Sequence, residues 1–146
     1  MNPGDPTSPS WLLYALLSAA FAAATAILAK VGVEGVPSTL ATALRTGVVL
    51  LFAWGIALAR GEHHALPSFS RRTLLFLALS GVATGLSWLA YFRALQLAPA
   101  SRVAPIDKLS LAMTLLLAVL VLKEPFSWRL GLGVAFIVVG ALLTLK

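Results

Sequence analysis

The stretch YFRALQLAPASRVAPIDKLSLAMTLLLAVLVLKEP, residues 91–125, decides how this chain is read. It closes one apolar helix, turns, and opens another with charges inside the turn. Pro99 cannot continue a helix with a full hydrogen-bond ladder. Ser101 is placed to cap the next helix by accepting a bond from an orphan backbone N–H. Pro105 then falls in the first turn, where a missing donor costs little. From Ile106 to Leu122 the chain is apolar except for Asp107, Lys108 and small hydroxyls, and Lys123, Glu124 and Pro125 close the run. The stretch predicts a helical hairpin with polar groups at its mouth.

The rest of the chain is more of the same material. Of 146 residues, 60% are hydrophobic and 11% charged, and the mean hydropathy is +0.95. A water-soluble fold of this size would lack the polar surface to cover such a core. Lipid is therefore the expected solvent, and the expected class is an all-α integral membrane protein. The formal charge of +6 does not indicate nucleic acid. Its basic residues stand singly at helix ends and form no stripe with interleaved aromatics. With no cysteine, disulfides and thiolate metal sites are excluded. Residues 1–10, MNPGDPTSPS, carry prolines and no basic residue, which does not fit the charged region of a signal peptide, and are expected to be a disordered tail.

A spanning helix needs about 20 apolar residues to cross about 30 Å. Five segments meet this, at about 11–31, 37–59, 73–97, 103–122 and 128–145, with Ser10 and Ser127 as expected caps of the first and last. Trp11, Tyr14, Trp54 and Trp128 suit an interfacial belt. The links are short, so sequential neighbours are expected to be antiparallel. The longest link, residues 60–72, holds His63 and His64 side by side without the i, i+4 partners of a metal site, and reads as a solvated loop. Gly81 with Gly85, and Gly133 with Gly140, offer notches for close helix approach, within the chain or between two copies. Arg60, Arg71, Arg72, Lys123 and Arg129 fall on one side of the membrane, and Lys30, Arg102, Lys108 and Lys146 on the other. Five against four favours a cytoplasmic N-terminus by a slim margin.

The run Tyr91, Phe92, Ala94, Leu95, Pro99, Ala100, Ser101, Val103, Ala104, Pro105, Ile106, then Leu115 to Leu122 and Glu124, resembles the closing half of an EamA domain. That domain is the repeat unit of the drug/metabolite transporter superfamily. Gly133 and Gly140 extend the likeness downstream, and Lys30, Gly32 and Arg45 upstream, so that it covers about residues 11 to 145. Ser110 departs from it, standing where many members carry the proline that would kink this helix. The resemblance implies a five-helix repeat that full-size members carry twice in one chain, and a membrane of the bacterial or archaeal cytoplasmic type. It also places an arginine in the second helix, at Arg45.

Ionisable groups within spanning segments are costly and need a reason. Arg45 lies about two turns into the second helix. It reads either as a snorkelling side chain or as an anion contact in a wet central cavity. Asp107 and Lys108 open the fourth helix, and serve either the helix dipole and the interface or a binding site. Trp88 and Tyr91 form a row that either packs or stacks on a flat amphipathic guest. The substrate-binding set is therefore Arg45, Trp88, Tyr91, Asp107 and Lys108, with Glu34 or Asp107 as the carrier of a coupling proton.

No GxxxxGK[ST] occurs, so a nucleotide-driven pump is not expected. No nucleophile with its base and no metal cluster occurs either, so neither an enzyme nor a cofactor is expected. The expected function is gradient-driven transport of small organic metabolites or amphiphiles by alternating access. One repeat has too few walls for a permeation route, so the partners expected besides lipid and substrate are a second, antiparallel copy or a sister subunit. The competing reading is a non-transporting subunit packed against another membrane protein.

Overall fold

A computed structural model describes residues 10–145, all-helical with no strand among them. The tail expected at residues 1–10 lies outside the described residues except for the Ser10 backbone. The helices are α1 (Ser10–Gly32), α2 (Ser38–Ala59), α3 (Arg71–Leu97), α4 (Ala100–Asp107), α5 (Ser110–Leu120) and α6 (Trp128–Leu143), with a short 3-10 helix at Glu62–Ser68 between α2 and α3. Four spans are long and apolar enough to cross a bilayer: α1, α2, α3, and α4 with α5 taken together. The fifth apolar helix, α6, has 16 residues. At 1.5 Å each it covers about 24 Å, less than the roughly 30 Å of a hydrocarbon core.

The chain ends of these helices define two faces. One carries the turn at Gly35, the α3–α4 link and the end of α6. The other carries the start of α1, the turn at Gly61 and the α5–α6 link. Both glycines hold a left-handed backbone, φ 71° and 69°, a conformation that ends a helix cheaply only without a Cβ. The third such turn is built on Lys123 (φ 57°). There the Glu124 N–H reaches back six residues to the Ala118 carbonyl at 3.1 Å, a bond onto one of the otherwise unsatisfied carbonyls near the helix end.

The hairpin at Pro99 forms as expected, with different local chemistry. Ser101 does not cap α4: the N-cap is Pro99, whose carbonyl takes the N–H groups of both Arg102 and Val103. Pro105 lies at the sixth residue of α4, beyond the first turn. The fourth span is not continuous. Lys108 N–H bonds to Pro105 O and Leu109 N–H to Ile106 O, at 3.1 and 3.0 Å. This three-residue spacing tightens the backbone and separates α4 from α5. Ser127 precedes α6 without a side-chain bond, and Gly131 N–H meets its carbonyl instead. Ser70, by contrast, caps α3 by accepting from Thr73 N–H at 3.0 Å.

α3 is the central helix, packing on α2, α1 and α4, while α6 packs on α4 and α5. Every buried side chain among the described residues belongs to the Gly35 face. These are Ala26, Val33, Thr42, Phe92, Leu95, Val103 and Ala141, all within about 9 Å of that end of their helices at 1.5 Å per residue. Val33, Phe92, Leu95 and Val103 touch one another, with Ala29, Ala41, Ala94 and Ala98 around them. Polar clamps reinforce this knot. Lys30 Nζ donates to the Leu95 carbonyl at 2.6 Å and to that of Ala98 at 3.3 Å, capping the negative end of α3. Gln96 Nε2 donates to the carbonyls of Val33 (3.2 Å) and Val36 (2.6 Å).

Toward the Gly61 face no side chain among the described residues is buried as a whole, and Leu, Val and Phe side chains are exposed on the long helices. Water would not tolerate a surface of this kind on an isolated fold. A bilayer satisfies it, and the chain is an integral membrane protein. Trp11, Trp54 and Trp128 are exposed toward the Gly61 face, at the heights where a belt of aromatic rings meets headgroups. The glycine notches do not pack within the chain. A Cβ added at Gly81, Gly85, Gly133 or Gly140 would meet nothing within 4 Å. Gly131 is the glycine of α6 that does receive a side chain, the ring of Phe126.

Candidate functional site

The five substrate-binding residues expected from the sequence come from three different helices, yet converge. Arg45 is seven residues into α2, Trp88 and Tyr91 are nine and six residues from the end of α3, and Asp107 is seven residues into α4. At the helical rise all stand about 9–14 Å below the Gly35 face, immediately beneath the buried knot. Arg45, Trp88, Tyr91, Asp107 and Lys108 line one cavity of about 250 Å³ together with Ala22, Thr25 and Ser87. Thr25 and Ser87 were not singled out from the sequence. The available signal was a hydroxyl inside an otherwise apolar helix, which is weak because such hydroxyls often bond their own backbone, as Thr84 does to Ser80 O at 2.9 Å.

Arg45 turns onto two rings of α3. Its guanidinium lies 4.0 Å from the Trp88 ring centre and 5.5 Å from that of Phe92. Trp88 is the deeper of the two, a turn further from the Gly35 face. Stacking on an aromatic face returns about 0.5–2 kcal/mol. A charge at the centre of a span costs about 2.5–3.5 kcal/mol on insertion scales, and less toward its end. The ring contact therefore offsets part of the cost, and acceptors for the N–H donors would offset the rest. Among the described residues Arg45 makes no hydrogen bond or ion pair. The neighbouring hydroxyls of Thr42 and Thr46 donate within their own helix, to Ser38 O and Thr42 O.

Asp107 and Lys108 pair with each other at 3.3 Å and remain partly open, with 39% and 51% of their side chains exposed. They sit where α4 gives way to α5, so the broken helix places its charges at the cavity wall. Discontinuous spans recur at transporter binding sites for that reason. Two further recesses adjoin. One of about 470 Å³ runs from Tyr91 and Asp107 to Arg102 and Leu145. Another of about 410 Å³ lies between α1, α2 and α3 and shares Thr25 and Arg45.

Glu34 is not brought to this site. It is exposed on the Gly35 face, in a separate recess of about 700 Å³ with Lys30, Arg93 and Gln96. Nor does it pair with Lys30 four residues earlier, because that lysine is turned onto the α3 carbonyls. His63 and His64 stand with ring centres 4.0 Å apart within the 3-10 helix, and no cluster among the described residues could hold a metal.

A model of the EamA-like transporter family matches residues 9–146. The chain is also similar to a protein of Sinorhizobium sp. described as an uncharacterized transporter in the cobO 3′ region, at 55% identity over 136 residues, which make up 93% of this chain and 96% of the relative. No solved structure matches the chain. Both matches are to transporters and neither is to an enzyme.

Proposed function

The chain belongs to the EamA-like transporter family, and from that premise we propose that it is a gradient-driven carrier of small organic metabolites or amphiphiles in the bacterial cytoplasmic membrane, working by alternating access. The observation that carries this is the convergence of Arg45, Trp88, Tyr91, Asp107 and Lys108 on one cavity inside the spanning helices. The buried knot lies between the cavity and the Gly35 face, and recesses pass beside it toward Arg102 and Val36. Asp107 is the group inside the spans that can exchange a coupling proton. Glu34, at the rim, serves as its alternative.

One feature supports a second copy: a Cβ at Gly81 or Gly85 on α3 would meet nothing within the chain, which leaves that notch for a partner helix. With five spans, including α6 under slight local thinning of the bilayer, the termini lie on opposite sides, and an inverted pair restores the twofold-repeat design of larger carriers. A cytoplasmic N-terminus in one of the two copies follows the slim excess of positive charge on the Gly61 face. A sister subunit of fixed opposite orientation fills the same role.

The test is uptake into proteoliposomes under an imposed proton gradient. Arg45→Ala is expected to abolish uptake while the protein still assembles. Equal uptake by Arg45→Ala removes this site. Wild-type liposomes with no flux for any of a broad metabolite panel favour the non-transporting reading, in which the intramembrane charges only pair with a neighbouring protein.

A further inference from the structure

We propose that the cargo is a small organic anion with a flat or apolar body, bound by its acidic group at Arg45 and by its body against Trp88 and Tyr91, and that lipophilic cations are excluded. This rests on the transport reading above and assigns the substrate class of the same cavity.

The charge inventory carries the inference. The acidic residues among those described are Glu34, Glu62, Asp107 and Glu124. Glu62 is exposed and pairs with Arg60. Glu124 lies in the α5–α6 link and Glu34 in the rim recess. Asp107 is thus the one described carboxylate within a spanning segment, and Lys108 already neutralises it. An embedded carboxylate free of a cation would be the charged partner of a lipophilic cation, and the described spans hold none. They hold the reverse: an arginine whose donors have no acceptor. Arg45, Lys108 and Asp107 together leave the cavity at +1 +1 −1, a formal +1.

The geometry suits the same guest. The Trp88 ring holds the guanidinium carbon at 4.0 Å, and its N–H groups have no hydrogen-bond partner among the described residues. The edge they form is the side that receives a carboxylate or phosphate in paired hydrogen bonds. Trp88 and Tyr91 stand beside it as an apolar wall with one hydroxyl. Arg93 and Arg102 line the recesses toward the Gly35 face, so the approach from that side carries the same sign and raises the local concentration of anions.

The test uses a variant whose sole tryptophan is Trp88 (Trp11→Phe, Trp54→Phe, Trp128→Phe), in phosphatidylcholine nanodiscs. Its fluorescence is titrated with benzoate and phenyl phosphate, and with benzylammonium and tetraphenylphosphonium as cationic counterparts. A saturable response to at least one anion is expected, with none to either cation. Arg45→Gln is expected to weaken the anion at least tenfold. Arg45→Lys, which keeps the charge without the fork, is expected to fall between and serves where the glutamine variant folds poorly. The assignment is overturned by saturable cation binding as tight as that of the anion, by no saturable response to either anion, or by anion binding indifferent to both variants. Loss of the anion response once phosphatidylglycerol is added would identify a lipid headgroup as the occupant and overturns it too. Liposome flux separates this from the parent reading. Cation flux without anion flux removes the charge assignment and leaves a transporter, whereas anion binding without any flux leaves the site and removes transport.

Discussion

Two cations in the membrane region of this chain look alike in sequence and do different work. Lys30 is spent on structure. Its ammonium holds the last carbonyls of α3 against α1, and hydrogen bonds from a charged donor are worth about 1.5–3 kcal/mol. Lys30→Met is therefore expected to lower stability by about that amount, read as a fall in the detergent unfolding midpoint. Arg45 has no such acceptor, so Arg45→Ala is expected to lose uptake with a far smaller shift in the same midpoint. The sequence marked both residues, because any charge inside an apolar run stands out. What it could not separate was role. That depended on which carbonyls and rings the α1–α3 and α2–α3 registers bring within reach, and no local pattern encodes a register between apolar helices whose side chains are nearly interchangeable.

At the level of helices, the ends were legible where glycine or proline punctuates the chain and illegible elsewhere. Pro99 ended α3 as expected. The interruption between α4 and α5 carries neither residue at Lys108 and Leu109, and Ser110, in place of the proline many family members carry, left a kink there undecided. It arises where a string of three-residue bonds replaces the regular ladder. The α5–α6 link offers a clean test. Lys123 sits in a left-handed backbone that costs a residue with a side chain about 1–2 kcal/mol. Lys123→Gly is expected to raise stability by about 1 kcal/mol, and Lys123→Val to lower it, in the same unfolding assay. At the start of α3, Ser70→Ala is expected to cost about 1 kcal/mol through loss of the Thr73 cap.

For the molecule as a whole, composition alone settled the solvent, because no soluble fold of this length can hide so much apolar surface. The glycine pair of α3 was readable as a packing notch, yet not as to what fills it, since the same spacing serves either partner. Gly85→Leu is expected to leave helix content and monomer folding unchanged, since no neighbour in the chain would be touched, and to reduce cross-linked dimer in native membranes. Reporters fused to the C-terminus are expected on both sides of the membrane. A single location would remove the inverted homodimer and leave the sister-subunit arrangement. The one-sided burial has a mechanical corollary. A bundle stapled at one end and loose at the other would work as tweezers, with legs free to swing about a fixed hinge. Set head to tail with a twin, each hinge would border the moving legs of the other, so opening one leaflet and closing the other would be a single motion.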